Sequence, residues 1–128
     1  IPEFDSPDSV EGFQKQLEGK ESILVLIALW EDKPAGYLVG YREEADSFYI
    51  WLSGVVKDFR RKGVLKELMN IVIEWARKNK FDHVTIKTRN SRRAMLAYLI
   101  SNGFLIKGVE PRYSAEETRI WLELPLQH

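Results

Sequence analysis

The 128-residue chain contains no cysteine and only two histidines, His83 and the terminal His128. Without a thiol there is no disulfide, no thiolate nucleophile and no zinc-thiolate site. A Ser-His-Asp arrangement would have to be built on His83, and no carboxylate cluster stands ready for a metal, so none is expected. Net charge is lacking too: 19 Lys+Arg balance 19 Asp+Glu. The whole molecule therefore does not call for a nucleic-acid partner, and any basic site has to be local. No apolar run is long enough to span a bilayer, so no membrane insertion is expected. No secretory leader is recognisable, and the missing cysteine fits a reducing, cytoplasmic setting. The chain opens on Ile1 rather than Met, which leaves room for an upstream segment.

What is present suits a single domain over residues 1–128, 45% hydrophobic and 30% charged, long enough for one core and too short for two. Pro7 to Leu17 reads as a short helix stopped by Gly19. Ile23 to Trp30 is a continuous apolar run, the pattern of a strand buried on both faces. Ala35 to Tyr41 and Phe48 to Val56 continue as an antiparallel meander, the second strand alternating Phe48, Ile50, Leu52 against Tyr49, Trp51, Ser53. Val64 to Asn79 is the clearest helix, with Leu65, Leu68, Met69, Val72, Trp75 and Ala76 on one stripe and Glu74 and Lys78 spaced for an i,i+4 pair. Phe81 to Thr88 is a strand, Ser91 to Asn102 a helix, and Leu105 to Glu110 and Thr118 to Leu124 are the closing strands. The strand-helix-strand crossover makes Phe48–Val56 and Phe81–Thr88 parallel neighbours. The predicted class is α/β in the α+β sense, a mixed, mostly antiparallel sheet with helices packed on it; the repeated βα units of a doubly wound sheet are missing.

The local basic site is "VVKDFRRKGVLKEL", Val55 to Leu68, where Arg60, Arg61 and Lys62 precede Gly63 at a strand-loop-helix junction. Unpaired amides, the helix dipole and cationic side chains all favour an anion there, and Gly63 lets the backbone approach it. Phosphate is one reading, a solvated turn a second, and a weak nucleic-acid patch a third. The usual phosphate loops, G-x-x-x-x-G-K-[ST] and G-x-G-x-x-G, are absent.

This junction resembles the signature V-x-P-x-[YF]-[RQ]-x-x-G-x-[GA] of the GNAT acetyltransferase superfamily, matched at Val55, Phe59, Arg60 and Gly63. Asn90, Ala94, Tyr98, Gly103 and Phe104 resemble a second signature of the same family. Lys57 stands in place of its proline and Leu65 in place of its Gly or Ala. The resemblance implies an acetyl-CoA-dependent N-acetyltransferase with the donor in a cleft between the splayed strand ends at Val55 and Thr88. Arg60, Arg61, Lys62, Gly63, Val64 and Leu65 would wrap the pyrophosphate, Ser53 and Val55 would bond the pantetheine by their main chain, and Asn90 and Ala94 would meet it from the second long helix. Lys66 and Arg93 would reach the outer phosphates, and Tyr98 would place its hydroxyl near the thioester sulfur. Measured against the family, the usual first strand and helix are expected to be absent ahead of Pro7. The sheet's N-terminal edge is thus expected to be unpaired, or filled by a partner chain, as in a homodimer.

Helix spacing supports Tyr98 as more than a core residue: Leu96, Leu99, Ile100 and Gly103 share one face and put Tyr98 nearly opposite. Tyr49 and Trp51 share a strand face with Ser53 and either line an acceptor pocket or pack a helix. That face carries no carboxylate, leaving Glu43, Glu44, Asp46, Glu110 and Glu123 as candidate bases. The implied function is acetyl transfer to a primary amine, on a small molecule or a protein, by direct attack. The alternative is an acetyl-CoA-binding sensor or partner-binding module that keeps the fold without catalysis.

Overall fold

Alternating burial along the strands and one irregularity in the third of them set the architecture. The computed structural model describes residue 12 and residues 14–126. Its strands are β1 Glu21–Trp30, β2 Lys33–Glu44, β3 Ser47–Val55, β4 His83–Arg89, β5 Leu105–Glu110 and β6 Arg119–Pro125. They form one sheet in the order β1-β2-β3-β4-β6-β5, antiparallel throughout except for β3 and β4. A 3-10 turn, Lys57–Phe59, and helix α1, Val64–Lys78, connect that parallel pair, while α2, Arg93–Ser101, joins β4 to β5. This is the mixed sheet the sequence predicts, with its single parallel pair. Of the helix expected over Pro7 to Leu17, residues 12 and 14–17 are described and are helical; the rest of it lies outside the described residues.

Both α1 and α2 cover the same side of the sheet. Leu68, Met69 and Val72 of α1 and Met95, Leu96 and Leu99 of α2 are buried in one cluster with Phe48, Ile50, Val84, Ile86 and Leu122. Gly36 fixes where α1 begins. A Cβ on it would lie 2.8 Å from Val64 Cγ1, so only glycine lets the first residue of the helix press onto β2. The α1 N-terminus is thereby held over the end of β3.

Four expectations are corrected by the structure, three of them outside β3. β1 is not buried on both faces: it is the sheet's edge, and Ile23, Val25, Ile27 and Leu29 are exposed while Leu24, Leu26 and Ala28 pack against the core. A continuous apolar run does not tell one covered face from two, and α1 covers only one. On α2 the buried face is Met95, Leu96 and Leu99; Ile100 is exposed, and Tyr98 packs at the rim of the core rather than opposite it. Glu74 pairs with Arg77, at 2.9 Å and i,i+3, instead of with Lys78.

The irregularity in β3 governs the site. Gly40 of β2 faces Ile50, but the next residue back, Val39, faces Leu52, so β3 holds one residue more than its partner at Trp51. The bulge resets the strand's alternation. Tyr49 and Trp51 stay on the side of Tyr41, with ring centroids 5.6 and 6.4 Å from it. Ser53 faces Leu38 and Val55 faces Gly36, on the helix side. The expectation that Tyr49, Trp51 and Ser53 share a face therefore fails, because period-two reading ignores an inserted residue.

Candidate active site

A bulge bends its strand and sharpens its twist, and here β3 leaves β4 directly at that point. Their parallel pairing ends at Ile50 opposite Ile86, whereas β4 stays paired with β6 as far as Arg89 opposite Arg119. The strands open into a V. A cleft of about 600 Å³ fills it, lined on one side by Tyr49, Trp51 and Ser53 and on the other by Lys87, Thr88 and Arg89. Met95 of α2 closes its floor, and Arg92 and Arg119 stand at its rim. From residue 52 to Val55, β3 has no strand partner on the cleft side among the described residues.

The basic loop lies at the end of β3. Gly63 caps α1 in the left-handed region, φ 81°, and a Cβ there would meet nothing within 4 Å. The first helical bond runs from Glu67 N–H to the Gly63 carbonyl, at 3.0 Å. The amides of Val64, Leu65 and Lys66 precede that bond and by helix geometry have no partner within α1. Arg60 donates from Nε to the Val55 carbonyl at 3.3 Å, and Lys62 lies over the Trp30 ring at 5.3 Å. Arg61 and Lys66 are exposed. Leu65, the departure from the family signature, is partly buried and packs against the core, so its side chain turns away from the loop.

Across the cleft, Asn90 donates from Nδ2 to the Ala115 carbonyl at 3.1 Å and accepts at Oδ1 from Arg93 at 2.7 Å. Both side chains are thus tied to local partners. Ala94 is exposed and does not line the cleft. Tyr98 follows the cleft-lining Met95 by one turn of α2; burial pushes its phenol above the usual value of 10.0. Its hydroxyl makes no hydrogen bond among the described residues.

Charges around the cleft fall into two groups. Burial, together with Tyr41, Glu43 and Glu110, pushes the Tyr49 phenol up to about 12. Burial likewise raises the Glu43 carboxyl, against the pull of Lys87. Glu110 is held low by its hydrogen bond from Lys87, 2.9 Å away, and Glu123 pairs with Lys107 at 3.0 Å. No carboxylate among the described residues lines the cleft itself. Thr88, expected at the strand end beside the cleft, has its Oγ1 buried without a hydrogen-bond partner among the described residues, and sequence reasoning missed Lys87, Arg89, Arg92 and Arg119. Only the β4–β6 register brings Arg119 beside Arg89, and no spacing in the chain announces it.

The sequence profile of the acetyltransferase (GNAT) family matches residues 1–104. The chain belongs to this family. No curated protein matches its sequence, but solved structures share its fold. The ribosomal-protein-S18-alanine N-acetyltransferase from Escherichia coli is 20% identical, with a TM-score of 0.82 over 98% of this chain and 81% of that one. An IAA acetyltransferase from Bacillus cereus is also 20% identical, with a TM-score of 0.79 over 98% and 96% of the two chains. A GNAT family acetyltransferase from Elizabethkingia anophelis, solved with acetyl-CoA bound, is 18% identical, with a TM-score of 0.79 over 98% and 86%. The GNAT fold thus extends through β5 and β6, beyond the profile match. Among the described residues of this GNAT chain, no helix is long and apolar enough to cross a membrane, and no His, Asp and Glu cluster is placed to hold a metal ion.

Proposed function

We propose that the cleft holds acetyl-CoA and that the protein transfers the acetyl group to a primary amine by direct attack. The carrying observation is the V between β3 and β4, with the α1 N-terminus and Gly63 at its β3 end. Acetyl-CoA supplies an activated thioester. The amides of residues 64–66 and the open space beside Gly63 suit its pyrophosphate. The unpaired stretch of β3 offers main-chain groups to the pantetheine as an added strand would use them. Ser53 and Val55 lie on the same side of the sheet as α1, so the phosphate loop and this strand edge serve one extended donor.

The amine nitrogen bonds to the carbonyl carbon, the C–S bond breaks, and the nitrogen's proton leaves to solvent. A main-chain N–H near Val55 polarises the carbonyl. Tyr98, its phenol pushed above the usual value by burial, gives its hydroxyl proton to the departing thiolate and is reprotonated from solvent. The test is acetyl-CoA binding by calorimetry, followed by thiol release over a panel of amines. Release above the hydrolytic background with at least one amine is expected; binding without release from any of them, in single-turnover format, defeats the catalytic reading. It would favour the sensor reading, which the lack of a carboxylate among the described residues lining the cleft supports.

A further inference from the structure

Resting on the acetyl-transfer reading above, we infer that the acceptor is an amine that also carries an anionic group, a carboxylate or a phosphate, gripped by Arg89 and Arg119. These two are direct cross-strand partners in the β4–β6 ladder, and both line the cleft. Like charges directly opposite each other destabilise a sheet, yet little here offsets them. Arg119 reaches the Glu117 carboxylate only at 3.9 Å and donates to the Glu117 carbonyl. Arg89 is exposed, and its side chain has no hydrogen bond or ion pair among the described residues. Arg92, in the same lining, is likewise without a side-chain partner there.

Residues opposite each other in an antiparallel ladder have Cα atoms about 4.5–5.5 Å apart, so two guanidinium forks can converge on one carboxylate or phosphate and bind it bidentately. The fourth cation of the lining, Lys87, is already neutralised by Glu110 at 2.9 Å and lies over Trp121 at 4.6 Å. The net field offered to an acceptor is therefore that of the arginines. A polyamine would be repelled.

The side of the sheet decides which substrate these arginines meet. Arg89 alternates with Lys87 and Thr85, and Thr85 faces Tyr49. That is the side away from α1 and α2, whereas Ser53, Val55 and the phosphate loop belong to the helix side. Donor and arginine pair approach the cleft from opposite faces, with Tyr49 and Trp51 flanking the arginine side.

The experiment pairs amines that differ only in the anion: β-alanine against β-alaninamide for carboxylate, and O-phosphoethanolamine against ethanolamine for phosphate. At least one anionic member is expected to have a kcat/KM tenfold or more above its neutral twin, with the advantage shrinking as salt is added. Arg89→Gln and Arg119→Gln should each erase that advantage through KM for the anionic amine, while acetyl-CoA affinity measured by calorimetry stays within twofold. Equal or better use of the neutral twins overturns the inference, and so does a loss of acetyl-CoA affinity in the variants, which would assign the arginines to the donor. Thermal melting separates this idea from the transferase reading. The anionic amines alone should raise the melting temperature of the parent protein and not of Arg89→Gln; no such difference sinks the arginine site whether or not turnover is seen.

Discussion

Two single residues of the proposed donor site can each be tested apart from the fold. Gly63 sits at φ 81° with open space where a Cβ would point. Gly63→Val therefore costs the fold mainly the left-handed strain of a β-branched residue, about 1–2 kcal/mol, while filling the space a phosphate needs. CoA affinity is expected to fall at least tenfold in a variant that still unfolds cooperatively; unchanged affinity would place the phosphates elsewhere. Tyr98→Phe probes the proposed acid. Its hydroxyl has no hydrogen bond among the described residues, so removing it leaves no buried partner stranded. Turnover should drop by roughly 100- to 10,000-fold, with stability nearly unchanged. Turnover within twofold of the parent, together with a loss above about 1 kcal/mol, would make Tyr98 structural.

At the scale of elements, the succession of strands and helices along the chain, the parallel pair, α1 and the basic loop were legible, because periodicity and the strand-helix-strand crossover act over neighbouring residues. What was not legible depends on residues distant in the chain. The bulge at Trp51 exists only relative to β2, the Arg89–Arg119 pair only relative to β6, and the bare face of β1 only because α1 and α2 lie on one side. The last point is testable with two substitutions in neighbouring strands. Ile27 is 59% exposed and Leu38 fully buried. Ile27→Lys is expected to change stability by no more than about 0.5 kcal/mol, and Leu38→Ala to cost about 2–5 kcal/mol, both read from denaturant unfolding. A large cost for Ile27→Lys, with a drop in sedimentation coefficient, would mean that a second copy covers this edge in solution.

Across the whole molecule, charge and ligand act on one folding equilibrium. Glu110 is held low by Lys87, and a group depressed on folding stabilises above its unfolded value and loses that contribution as pH falls through its folded value. Glu43, raised by burial, acts oppositely: its contribution is complete below the unfolded value of 4.5 and lost as pH rises through the folded one. Glu110→Gln should therefore flatten the acid limb of the stability curve below about pH 4.5, and Glu43→Gln the limb just above it, each followed by melting temperature against pH. An acid limb that survives Glu110→Gln intact would detach the Lys87 pair from stability. The proposed donor binding would couple to the same equilibrium. A ligand that binds only the folded state at a hundredfold its dissociation constant adds about 2.7 kcal/mol. For a chain of this length each kcal/mol moves the midpoint by roughly 3–5 °C, so saturating acetyl-CoA should raise it by roughly 8–14 °C. The size of the shift should fall from CoA to dephospho-CoA to pantetheine, because each step removes phosphate that the α1 N-terminus and its cations would hold. Equal shifts from all three would take the basic loop out of donor binding, and no shift at millimolar acetyl-CoA would remove the donor from the cleft altogether.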